Sequence, residues 1–137
     1  MHLKKWWDPI LDMKFDDPEQ DAPYWVATNN VVLRTPYPGI VIKAWSRKDG
    51  AGTGVFLSQN RTGALDAVSR FIRRDKKALA GELPAGTLID RDDSVLALRN
   101  DGLVTDKEKY AWTRKNLNIF VNVLRPRLKK WHQALGA

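Results

Sequence analysis

The chain has 137 residues, 23 Lys and Arg against 16 Asp and Glu, and a formal net charge of +7. That length is one domain, and a composition of 43% hydrophobic and 28% charged residues excludes wholesale disorder, collagen and coiled-coil arrays. No apolar run approaches the roughly 18 residues of a membrane span, no signal-peptide h-region follows the first basic residues, and the lack of cysteine removes disulfides, thiolate catalysis and Cys-based zinc. A cytoplasmic domain without a membrane partner is the expectation.

Leu3, Trp6, Trp7, Ile10, Leu11 and Met13 recur at helical spacing and predict a short helix, which Asp16-Asp17-Pro18-Glu19 ends. Tyr24 to Ala27 and Val31 to Arg34 are aromatic and β-branched runs around Asn29-Asn30, the chemistry of a hairpin turn. The second run stops at Thr35-Pro36-Tyr37-Pro38-Gly39. Ile40 to Trp45 and Gly54 to Ser58 flank Asp49-Gly50-Ala51-Gly52, which predicts a second hairpin and hence an antiparallel meander. The period then becomes helical, with Leu65, Val68, Ile72 and Leu79 on one face and a Gly81, Pro84 stop. Thr87 to Ile89 and Val95 to Leu98 form a third hairpin around Asp90 to Asp93.

Thr105-Asp106-Lys107-Glu108 reads as a capping box opening the last helix. Tyr110, Thr113, Leu117, Phe120, Leu124, Leu128, Trp131 and Leu135 are three or four apart and predict one buried stripe. Pro126 interrupts it, so a kink or two helices in series are expected. The fold class that follows is α+β: an antiparallel sheet packed by a central helix and a long C-terminal helix, with a short N-terminal helix, in a single domain.

Charge is uneven along the chain. Residues 1 to 30 hold three lysines against six acids, net −3, and the other 107 residues carry +10, which points to an anionic partner for the basic end. Arg114, Lys115, Asn118, Asn122, Arg125, Lys129 and Lys130 lie roughly opposite the buried stripe of the last helix, no acid follows Arg114, and Arg114, Lys115, Arg125, Arg127, Lys129 and Lys130 are the candidate contacts for an anion. A one-signed face of this kind suits phosphate, and it also suits simple solvation. Arg70, Arg73, Arg74 and Lys77 form a second basic patch on the central helix. Trp112, Ile119 and Val123 form a second apolar strip on the last helix, a candidate contact for a protein partner or a homodimer if it is not covered internally.

The six tryptophans suit a dense core better than a base-stacking surface. Asp90, Asp92 and Asp93 are read as a solvated hairpin tip rather than a metal site. His2 and His132 make no catalytic or metal set, and Gly50, Gly52 and Gly54 sit between strands rather than before a helix. An independent enzyme with its own cofactor or metal therefore has little positive support.

Several positions carry a resemblance: the Trp6-Trp7 pair, the Trp25 strand, Val55-Phe56-Leu57 leading into the Leu65 to Leu79 helix, and above all Trp112…Phe120…Leu124-Arg125-Pro126-Arg127. In these the chain resembles a bacterial family of domains of unknown function that occur alone or C-terminal to restriction-endonuclease-like modules. It departs from that family at Leu88-Ile89, where a tryptophan is usual. The resemblance implies a DNA-associated or defence-associated context and brings no catalytic residues with it. Two readings result: a non-catalytic domain binding nucleic acid through the basic helix face, or a protein-interaction module using the Trp112 strip.

Overall fold

A computed structural model describes residues 4–26, 30–48, 52–59, 66–90 and 92–136. A 3₁₀ turn over Lys4–Trp7 runs into α1 (Asp8–Leu11), with Pro9 in the first turn, where its missing N–H costs nothing. Leu3 lies outside the described residues. Strands β1 (Tyr24–Trp25), β2 (Asn30–Arg34), β3 (Ile40–Ser46) and β4 (Thr53–Gln59) form the predicted meander. Helix α2 (Ala67–Glu82), the hairpin strands β5 (Leu88–Asp90) and β6 (Val95–Asn100), and α3 (Asp106–Gly136) complete the chain. The fold is α+β, as read from the sequence.

All neighbouring strands are antiparallel, in the order β1-β2-β3-β4-β6-β5. Because β6 lies between β4 and β5, the helical connection through α2 carries the chain past one strand position, and the hairpin then folds back into the gap. The turn from β2 to β3 is set by Tyr37-Pro38-Gly39-Ile40. Pro38 fixes the first central residue, Gly39 takes φ +91°, and the Ile40 N–H donates to the Tyr37 carbonyl at 3.1 Å. The tips of the first two hairpins, at 27–29 and 49–51, and Leu65 before α2 lie outside the described residues.

Register sorts the side chains onto two faces. Val31, Ala44, Val55 and Leu98 form one cross-strand row, and Leu33, Ile42 and Leu57 the next. These share a single core with Trp7 and Ile10, with Val68, Phe71, Ile72 and Leu79 of α2, and with Leu117, Phe120, Val121, Leu124, Leu128 and Trp131 of α3. Tyr37 of the β2–β3 turn stacks on Trp131 with ring centroids 4.6 Å apart, which ties that turn to α3. All helices thus lie on one side, and among the described residues none lies on the other. That second face carries the buried Val32 and Val41 and, half-buried or exposed, Tyr24, Arg34, Lys43, Trp45, Phe56 and Arg99.

Three expectations are corrected. Helix α3 passes through Pro126 as one helix, which removes the alternative of two helices in series. Pro126 and Asn122 are both exposed, and buried Leu124 and Leu128 hold the flanking turns to the core. Leu135, predicted at the end of the buried stripe, is 60% exposed, because α3 there has run beyond the core. The Thr105 cap also differs in detail. The Glu108 N–H donates to Thr105 Oγ1 at 3.2 Å as predicted, but the Glu108 carboxylate accepts the Thr105 hydroxyl at 3.0 Å.

Candidate nucleic-acid interface

The C-terminal half of the basic face of α3, at Arg125, Arg127 and Lys129, is engaged within the chain. The segment from Met13 to Pro23 has no repeating secondary structure and runs beside the helix, anchored by buried Met13 and by Phe15 packed on the core. Along it Asp16 accepts from Asn118 at 2.8 Å and from Asn122 at 3.3 Å, and its own N–H donates to Asn118 Oδ1. These amide donors hold the Asp16 carboxyl below the ordinary carboxylate range. Further along, Arg125 lies 3.6 Å from Asp17 and donates to Gln20 Oε1 at 3.0 Å, and Lys129 reaches Glu19 at 3.2 Å. Arg127 bridges from α3 to α2, meeting Asp75 at 3.6 Å and the Glu82 carboxylate. Arg125, Arg127 and Lys129 therefore work inside the fold.

The second patch divides in the same way. Lys76 contacts Asp93 at 2.8 Å and Arg73 approaches the same carboxylate at 3.7 Å, which holds its pKa below the ordinary value, chiefly through the Lys76 hydrogen bond. Asp93 is thus an anchor of the β5–β6 hairpin to α2 rather than a solvated tip. Asp92 and Asp93 take φ of 56° and 64°, a conformation that aspartate tolerates better than most residues. Among the described residues no three of His, Cys, Asp or Glu come together as metal ligands.

Arg70, Arg74, Lys77, Arg114, Lys115 and Lys130 are exposed and make no ion pair with another described residue. Arg74 and Lys130 line one groove of about 360 Å³ between α2 and α3, so the two basic patches do meet, but Asp75 and Glu82 line it as well. Trp112, Ile119 and Val123 are half-buried, and Trp112 and Val123 pack against the core.

The bare face of the sheet has a different chemistry. Gly54 is paired with Trp45 across β3 and β4, and the indole lies over it: a Cβ on Gly54 would stand only 2.5 Å from Cε2 and 2.8 Å from Cζ2. A Cβ on Gly52, one pleat along, would meet Trp45 Cζ3 at 3.2 Å and Arg47 Cδ at 3.3 Å. The two glycines leave a strip of backbone on which the ring and the Arg47 stem rest. From β6, Arg99 stands 5.1 Å from the indole centroid and is held there by Asp101, at 2.8 to 2.9 Å. From β2, Arg34 stacks on Tyr24 at 4.8 Å. Lys43 lies between these, directly across from Phe56.

Arg34, Lys43 and Arg47 make no ion pair with another described residue, so this face is positive beside half-exposed rings. Between Trp45 and β6 it dips into a shallow concavity of about 310 Å³, lined by Trp45, Phe56, Val95, Ala97 and Arg99 among others. The period-2 signal for this face was present in Lys43 and Trp45, which alternate with Ile42 and Ala44. A tryptophan within an apolar run suits a core equally well, which hides the signal. No family model, curated protein or solved structure matches the chain.

Proposed function

We propose that the protein binds nucleic acid on the bare face of its sheet, with Arg34, Lys43 and Arg47 meeting phosphates. One observation carries this reading: among the described residues Arg34, Lys43 and Arg47 make no ion pair and flank half-exposed aromatic rings on a face that no described helix covers, whereas Arg125, Arg127 and Lys129 of α3 already have carboxylate partners. Phosphate neutralisation releases condensed counterions and gives affinity that falls with salt, by about 0.7 to 0.9 log units per contact for each tenfold rise in salt. Three contacts predict a slope of about −2 to −3. The reading supports a binding domain, and none of its steps requires catalysis.

Titration of labelled oligonucleotides at several salt concentrations tests it. Non-specific binding falls at about 10⁻⁴ to 10⁻⁶ M at physiological salt and tightens as salt is lowered. Replacing Arg34 and Lys43 together by glutamine is expected to weaken binding to all sequences alike and to flatten the slope by about two contacts. Replacing Arg125 and Lys129 by glutamine should leave affinity unchanged. Equal affinity for wild type and the Arg34/Lys43 variant would overturn the proposal.

A further inference from the structure

We infer that the concavity beside Trp45 seats one unpaired nucleobase, so that the preferred ligand is single-stranded. This rests on the nucleic-acid reading of the same face and specifies what that face takes.

The indole is in position before any ligand arrives. Gly54 and Gly52 leave no Cβ in its way on one side, and the Arg99–Asp101 pair holds a planar guanidinium near its ring. A ring so held loses little freedom on binding, which is the advantage of a preorganised site. Phe56 and Ala97 are cross-strand partners, and with Trp45 and Val95 they give the concavity an apolar lining. An apolar depression with an aromatic wall and cations close by is suited to a flat, weakly polar ring tethered to an anionic backbone. A nucleotide in an unpaired strand has that character.

Duplex does not. Its base faces are stacked against one another inside the helix, so a sheet of this shape would meet only its sugar and phosphate. Single strands can splay a base out onto an aromatic side chain, and the stacking does not depend on sequence because every base has a π-face. Charge is arranged to match. Asp101 neutralises Arg99 at the rim, while Arg34, Lys43 and Arg47 lie to the side of the concavity, where a backbone would run once a base is seated.

The test compares a labelled 12-nucleotide oligo(dT) with a 12-base-pair duplex at equal salt. Wild type should bind the single strand at least about 5-fold more tightly, and its tryptophan emission should be quenched on binding. Trp45→Ala should lower single-strand affinity by about 5-fold to 100-fold and leave duplex affinity unchanged, and Trp45→Phe should recover part of the loss. Ala97→Glu fills the concavity with a carboxylate without removing the ring. It should reproduce the loss, with circular dichroism confirming the fold of each variant.

Duplex bound as tightly as the single strand, or single-strand affinity untouched by Trp45→Ala and Ala97→Glu, overturns the inference. In that case the Arg34/Lys43 variant still decides the wider reading. Absence of binding to either oligonucleotide overturns both. A concentration-dependent dimer that Ala97→Glu dissociates would assign the concavity to a second copy of this chain and also overturn the inference.

Discussion

At Gly54 a hydrogen stands where any other residue carries a Cβ, and the Trp45 indole fills that space. Gly54→Ala would drive a methyl group into the ring and force it off the sheet. Overpacking of this kind costs about 1–3 kcal/mol, measurable as a shift in denaturation midpoint together with a change in tryptophan emission. In the Trp45→Ala background the same substitution should cost far less, and a double-mutant cycle would isolate the coupling. A second residue-scale prediction concerns acid. The Lys76 hydrogen bond holds the Asp93 carboxyl below its ordinary pKa of 3.8. A depressed carboxylate contributes stability that is complete above the unfolded-state pKa and is lost as pH falls through the folded value. The β5–β6 hairpin should therefore loosen from α2 below about pH 4. Asp93→Asn should be less stable than wild type at neutral pH and should show a smaller loss on acidification, followed by thermal melts across pH 2 to 7.

Among the elements, α3 shows how far packing overrides local propensity. A proline inside a helix costs roughly 3 kcal/mol in isolated peptides, yet α3 runs unbroken from Asp106 to Gly136 because Leu117, Phe120, Leu124, Leu128 and Trp131 all reach the core. Pro126 is exposed and its ring contributes nothing to that core. Pro126→Ala restores the N–H to Asn122 and should stabilise the protein by about 1–3 kcal/mol, the lower figure allowing for the greater freedom of the unfolded alanine chain. Chemical denaturation measures it. A loss of stability instead would mean that Pro126 itself helps α3 to follow the twisted sheet. The strands of the meander were legible for the opposite reason, since local pattern and tertiary demand agree: Val31 and Leu33, Ile42 and Ala44, and Val55 and Leu57 alternate, and Pro38-Gly39 supplies the turn.

For the whole molecule, part of the charge asymmetry between residues 1 to 30, net −3, and the rest, +10, is taken up in an internal contact. Asp16, Asp17 and Glu19 meet Asn118, Asn122, Arg125 and Lys129 across more than a hundred residues of sequence. Read linearly, the α3 cations seemed to await an external anion, because spacing along one helix says nothing about which distant carboxylates will land on it. The candidate site was hard to read for the same reason. Its parts, Tyr24, Lys43, Trp45, Phe56 and Arg99, come from four strands and share a face only once the register is set, whereas helix faces can be drawn from one segment alone. The long reach of these contacts also orders events at the ribosome. Residues 13 to 23 emerge early, yet the helix they clasp is made only after the whole sheet, so the apolar side of the meander is exposed to solvent while residues 60 to 105 are still being added. Nascent chains halted before residue 106 should accordingly be sticky and protease-sensitive, and release of α3 should convert them abruptly to the folded form.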